Sequence, residues 1–145
     1  MITLKPTDAA WAAGIIDGDG YVGWVGGTWG KVSPMVQLQQ CDPQAVQRLS
    51  SLTGHSSRVY GTAPKYSLRF FGDEAIELLD QIRPYLTIKA REAWLVMEAR
   101  AQCPPQWRGA PGSGRKGRAP LSVEEHALRE GFRCALQWAR RNRSS

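Results

Sequence analysis

The sequence has few of the residues that hold metals or staple small folds. Its three cysteines, Cys41, Cys103 and Cys134, are far apart and odd in number, and its two histidines, His55 and His126, stand alone. With no CxxC pair and no Cys/His cluster, neither a zinc site nor a disulfide framework is expected. Three reduced, mostly buried thiols are the plain reading. No apolar run approaches transmembrane length. The opening stretch MITLKPTDAAW carries neither a long apolar segment nor an Arg-rich amphipathic leader. A soluble intracellular protein is expected, with no membrane partner.

A charge excess is also missing from most of the chain. Residues 1–104 hold ten Lys/Arg against ten Asp/Glu, so the net charge of +6 comes from residues 105–145, with nine basic and three acidic side chains. A basic excess attracts polyanions, but it is common in proteins that bind no nucleic acid. The 145 residues, 42% of them hydrophobic, suit one domain with a real core.

What is present is a regular alternation of patterns. A first helix is expected from Thr7 as N-cap through DAAWAAGIIDG, with Asp8 complementing its dipole and Gly18 and Gly20 ending it. YVGWVGGTW reads as a strand, Val22 and Trp24 facing the core, and Gly26-Gly27 as a turn or bulge. From Lys31 a second strand alternates: Val32, Pro34, Val36 and Leu38 on one face, Lys31, Ser33, Met35, Gln37 and Gln39 on the other. Asp42-Pro43 is a strong helix start, and Gly54 closes that helix. Strands follow near 57–61 and 65–71, the latter with Tyr66, Leu68 and Phe70 inward. Helices over 73–82 and 90–102 are separated by Pro84. Residues 104–120 are a basic Pro/Gly-rich loop, and a last helix is capped by Ser122 and Glu125, with Leu128, Phe132, Ala135 and Leu136 as its apolar stripe. The fold class is α+β with an antiparallel four-stranded sheet. The domain plan is a core over 1–103, the loop over 104–120 and a C-terminal helix over 121–145.

The chemistry centres on AAWAAGIIDGDGYVG. Small residues at Ala10, Ala13 and Gly14 permit close approach of a second helix, an analogy from membrane helix pairs. The helix ends in Asp17 and Asp19, where negative charge is disfavoured by the dipole. A bound divalent cation is one compensation, and a simple DGDG turn is the other reading. An EF-hand loop does not fit, because Tyr21 and Val22 stand where a ligand and a glycine belong.

Ala13-Gly14-Ile15-Ile16-Asp17-Gly18-Asp19-Gly20 resembles the signature of the LAGLIDADG homing endonucleases nearly position by position. VQLQQCDP resembles that family's lead into its next helix, and IRPYLTIKAREAW its P-x-L-x-x-K segment, so the resemblance spans roughly residues 8–100. It implies an αββαββα(α) fold with a curved antiparallel sheet and an extra C-terminal helix. It implies an intron-borne homodimeric endonuclease that hydrolyses double-stranded DNA at a long pseudo-palindromic site by metal-activated water. Mg²⁺ is the implied cofactor, Mn²⁺ a substitute, and Ca²⁺ a support for binding without cleavage.

The resemblance also implies roles. Asp19 binds the metal, assisted by the Gly18 carbonyl. Gln40 orders the attacking water, and Lys89 polarises it or stabilises the phosphate. Ala10, Ala13, Gly14 and Asp17 lie at the dimer interface, where Asp17 caps or braces the helix ends rather than performing chemistry. The sheet lies in the major groove, with Lys31, Ser33, Met35, Gln37 and Gln39 in one row, Arg58 and Tyr60 in another, and Lys65, Ser67 and Arg69 in a third. Arg115, Lys116 and Arg118 add phosphate contacts. No small-molecule substrate is implied. The rival reading is a non-catalytic binder on the same scaffold, either an intron RNA maturase or a DNA-binding regulator. A bacterial or phage-infected cytoplasm is the expected setting, with an organelle as the alternative.

Overall fold

The computed structural model describes residues 1–26, 32–60, 64–103 and 123–143. Helix α1 (Pro6–Asp19) opens on Pro6, whose fixed φ and missing N–H suit a first helical position. Its N-cap is Lys5, two residues before the expected Thr7, and no side chain caps it. The alternating strands pair as expected. β1 (Gly20–Gly26) is antiparallel to β2 (Val32–Gln40), and β3 (Arg58–Tyr60) to β4 (Lys65–Phe71); β2 and β4 join the two pairs. The sheet order β1-β2-β4-β3 leaves β1 and the short β3 at its edges.

Helix α2 (Pro43–Thr53) begins where expected: Asp42 accepts the Gln44 N–H at 2.9 Å, and Gly54 closes it at φ 76°, a left-handed conformation that favours glycine. Helix α3 (Asp73–Ile82) ends in a 3-10 turn at Arg83–Tyr85, and α4 (Ala90–Gln102) follows. The N-terminal segment is tied to α3, with the Ile2 N–H donating to Glu77 at 3.0 Å.

One face of the sheet is the core. Val22, Trp24, Val36, Leu38, Leu68 and Phe70 are buried there against Ile16 of α1, Leu49 of α2, Leu78, Leu79 and Ile82 of α3, and Val96 of α4. Alternation in the sequence therefore identifies the buried face of every long strand.

Helix α5 (Val123–Arg141) packs against α4 and the β1 edge. Its buried line is Arg129, Leu136 and Ala139, whereas Leu128, expected in the apolar stripe, is exposed. Arg129 takes the inward place because its long stem can be buried while its guanidinium lies 6.0 Å from the Trp24 ring. The proposed Ser122 cap lies outside the described residues. Only Cys103 is buried; Cys41 and Cys134 are exposed and all three are free, which corrects the expectation of mostly buried thiols. Cys41 sits at the surface end of β2 and Cys134 on the outward side of α5. Among the described residues no helix is long and apolar enough to cross a membrane.

Candidate functional site

Helix α1 delivers two carboxylates to one end of the sheet, and the fold treats them differently. Both lie in the last turn, where no basic residue offsets them. Asp17 is satisfied within the chain. Its Oδ2 accepts the Thr87 N–H at 2.7 Å and its Oδ1 the Lys89 N–H at 2.9 Å, so it sits against the positive N-terminal end of α4. Lys89 returns the contact, its Nζ donating to the Asp17 carbonyl oxygen at 2.6 Å, where the C-terminal end of α1 favours a cation. Asp17 thus braces the start of α4 in its own chain.

Asp19 is exposed, and no ion pair among the described residues holds it. The register Gly20↔Leu38 carries the end of β2 back alongside the end of α1. As a result Gln40 Nε2 donates to Asp19 Oδ2 at 2.8 Å. Lys89, whose ammonium is held at the Asp17 carbonyl, is buried. Burial pushes its ammonium below the ordinary lysine value, with the Arg143 guanidinium adding to the effect; Asp17, Glu92 and Asp19 act in the opposite direction. Asp19 and Gln40 also line an open cleft of about 680 Å³ with Trp11, Gln44 and Arg48. Arg48 stacks over Trp11 at 4.1 Å and pairs with Asp8 at 3.6 Å.

An exposed carboxylate at a helix C-terminus, flanked by a glycine carbonyl, suits a hard divalent cation. Among the described residues no three His, Cys, Asp or Glu side chains cluster, so Asp19 and Gly18 fit as part of a ligand set rather than a whole one.

The outer sheet face collects polar side chains from three strands. The register places Gln37 opposite Arg69, Gln39 opposite Ser67, and Ser67 opposite Arg58. Gln37 Nε2 reaches Gln39 at 3.0 Å and Ser67 at 3.3 Å. Ser67 is on the expected face but only 3% exposed, and its hydroxyl oxygen accepts from Gln37. Met35 and Ser33 are half-buried, and Lys65, Arg58 and Arg69 exposed. Lys31, Arg115, Lys116 and Arg118 lie outside the described residues, as does the Tyr60 side chain.

No protein-family model and no curated protein sequence matches the chain. Solved structures do. The homing endonuclease I-CvuI, in a complex with DNA in the presence of Mg, superposes with TM-score 0.70 over 92% of this chain and 82% of that one, at 15% identity. The LAGLIDADG homing endonuclease I-GzeII, in complex with its DNA target, gives TM-score 0.60 over 93% of this chain and 44% of that one, at 12% identity. I-TnaI, a homing endonuclease, gives 0.53 over 95% of both chains at 18% identity. The fold is that of the LAGLIDADG homing endonucleases.

Within the LAGLIDADG fold, Gln40 is hydrogen-bonded to Asp19, and Lys89 is held at the neighbouring Asp17. Ala10 and Gly14 are exposed on α1, but Ala13 is fully buried in the chain's own core and cannot present itself to a second helix. The reason is angular: Ala13 lies on the line of Ala9, Ala12 and Ile16, which faces inward. Sequence reasoning missed Tyr21 and Arg140. Tyr21 shares the outer face with Gln37 by register, and the Arg140 guanidinium lies 4.6 Å from its ring while donating to the Val22 carbonyl at 3.0 Å. Alternation from Val22 would have placed Tyr21; nothing in the sequence places Arg140 over it.

Proposed function

We propose that the chain is a site-specific endonuclease that cuts double-stranded DNA as a homodimer. The observation that carries this reading is the Gln40–Asp19 hydrogen bond beside the buried Lys89. A fold alone would not require these three side chains to converge. The DNA-bound neighbours support duplex DNA as the ligand of the outer sheet face.

Each side chain has a distinct task. Asp19, with the Gly18 carbonyl, would hold a divalent ion, and two chains would bring two such carboxylates to one site. Mg²⁺ is the proposed ion; when bound it would supply an activated water and neutralise phosphate charge. Gln40 donates its amide N–H to Asp19 and keeps its carbonyl oxygen to accept a hydrogen bond from water, which would orient that water toward phosphorus. Lys89 has further N–H donors beyond the one given to Asp17, and they suit the charge that builds on phosphate oxygens. Its burial strengthens that interaction. Arg58, Lys65 and Arg69 supply phosphate and base contacts, and the glutamines suit adenine. One motif per chain calls for a near-palindromic site.

A randomised duplex library incubated with Mg²⁺ or Mn²⁺ tests this reading, with Ca²⁺ as the binding control. Double-strand cuts at a near-palindromic sequence are expected. Asp19→Asn should abolish them and leave Ca²⁺-supported binding within a few-fold. Tight binding without cuts under any of the metals would transfer the chain to the non-catalytic reading.

A further inference from the structure

Glu92 is a carboxylate in an unusual place. It is 1% exposed, among the core side chains, and it occupies the third position of α4. A buried carboxylate needs a cation and hydrogen bonds to remain ionised. Two cations stand within its neighbourhood. Lys89 lies three residues before it, the spacing that makes side chains neighbours on a helix. Arg143, just past the end of α5, comes from the opposite end of the chain.

The contact goes to Arg143, whose Nε lies 2.5 Å from Glu92 Oε1. The burial of Leu136 and Ala139 against the rest of the fold carries the end of α5 to this position. The Lys89 ammonium is directed elsewhere, with Nζ 2.6 Å from the Asp17 carbonyl oxygen at the acidic end of α1.

We propose that Arg143 is a positioning residue: by occupying Glu92 it keeps that carboxylate off Lys89 and leaves the Lys89 ammonium directed at the Asp17–Asp19 end of α1. Its link to catalysis rests on the function proposed above; its effect on Lys89 does not. Removing the guanidinium leaves Glu92 buried and unpaired, and the nearest relief is Lys89. The ammonium then swings from Asp17 to Glu92 and away from the site of phosphate chemistry. The segment of the chain that carries the charge excess thereby acts on the site without touching substrate.

The test compares the wild-type chain with Arg143→Met, Arg143→Lys, Glu92→Gln and the double variant Glu92→Gln/Arg143→Met. The first readout is the labelling rate of Lys89 by an amine reagent, followed by peptide mass spectrometry without DNA or metal. The second is single-turnover DNA cleavage in Mg²⁺, with affinity measured in Ca²⁺. Arg143→Met should slow both labelling and cleavage about tenfold, a change typical of coupled neighbours. Affinity should stay within about threefold, because Arg143 is assigned no DNA contact. Arg143→Lys, which keeps a charge for Glu92, should fall between. The double variant has no carboxylate to capture Lys89 and should recover both rates. It also has no unpaired buried charge, so it keeps the test open should Arg143→Met fail to fold. Unchanged Lys89 labelling in Arg143→Met, or no recovery in the double variant, overturns the proposal. If the labelling pattern holds while even the wild-type chain cuts nothing, the positioning stands and the nuclease reading falls.

Discussion

Asp17 and Lys89 hold each other in both directions: the Asp17 carboxylate takes the Lys89 backbone N–H, and the Lys89 ammonium takes the Asp17 carbonyl. The second carboxylate of the motif, Asp19, has only the Gln40 amide among the contacts described. One acid of the motif is therefore tied into the fold, and the other, one glycine later, is left to the role proposed for it.

That division predicts opposite outcomes for the two acids. Asp17→Ala leaves the Thr87 and Lys89 N–H groups without their acceptor and should cost about 2 kcal/mol, the usual penalty for orphaned polar groups. Asp19→Asn removes an exposed charge and should change stability by no more than about 0.5 kcal/mol. Urea denaturation of the two variants reads the difference. Equal losses would show that Asp19 also holds the fold.

Lys89 gives a pH signature. Burial lowers its folded value below the ordinary 10.5. The unfolded chain then binds the proton more tightly than the fold does, so protonation favours unfolding. The stability contribution should rise with pH through the lowered folded value and level off near the ordinary lysine value. Lys89→Met removes this dependence. Urea midpoints of both chains between about pH 8 and 10, the range below an unperturbed lysine, should climb more steeply for the wild-type chain. Parallel curves would contradict the lowered value.

Most of the fold was legible because the strands alternate and the turns use residues with local reasons. Asp42, Pro43 and Gly54 mark both ends of α2 through capping chemistry that needs no tertiary context. Helix α1 is different. Ala9, Ala12, Ala13 and Ile16 face inward while Ala10 and Gly14 face outward, so apolar residues surround it and periodicity does not identify its buried side. That is why Ala13 was placed on the wrong face. Arg129 and Arg143 were illegible for another reason. Arg129 is buried beside an aromatic ring and the exposed Arg143 reaches a buried carboxylate, and these partners, Trp24 and Glu92, are distant in sequence. Lys89 was legible only through its order after the motif, since nothing local distinguishes it from a solvated lysine.

Gly20 is required by space rather than by backbone angle. Its φ of −90° is open to any residue, but a Cβ there would lie 2.8 Å from Ile16 Cα and 2.9 Å from the Ile16 carbonyl oxygen. Both are backbone atoms and cannot rotate away. Gly20→Ala should cost about 1–3 kcal/mol, the range for overpacking. It should also separate Asp19 from Gln40, because the Gly20↔Leu38 register sets their approach. Gly18→Ala meets nothing within 4 Å and should stabilise an isolated chain by up to about 1 kcal/mol through helix propensity. Thermal unfolding of both variants separates crowding from the general effect of a methyl group. A stable Gly20→Ala chain would mean that α1 and β1 can part without cost.

The proposed dimer would rest on the outward face of α1, and that face can be tested without disturbing the core. Ala10, Gly14 and Gly18 follow one another at four-residue spacing, and all three are exposed. A side chain at Gly14 would meet no atom within 4 Å. Gly14→Glu should therefore leave the fold of the single chain intact, and helix propensity should favour it slightly. Between two closely packed helices the same carboxylate has no room and would face its own symmetry mate at a two-fold axis. Sedimentation at micromolar concentration should give a dimer for the wild-type chain and a monomer for Gly14→Glu, with unchanged far-ultraviolet circular dichroism. The comparison with Ala13→Glu sharpens the result: Ala13 is fully buried within the chain, so its substitution should unfold the monomer itself. If Gly14→Glu remained dimeric, the partner would have to dock on a surface other than α1, and the two Asp19 carboxylates would not be brought together.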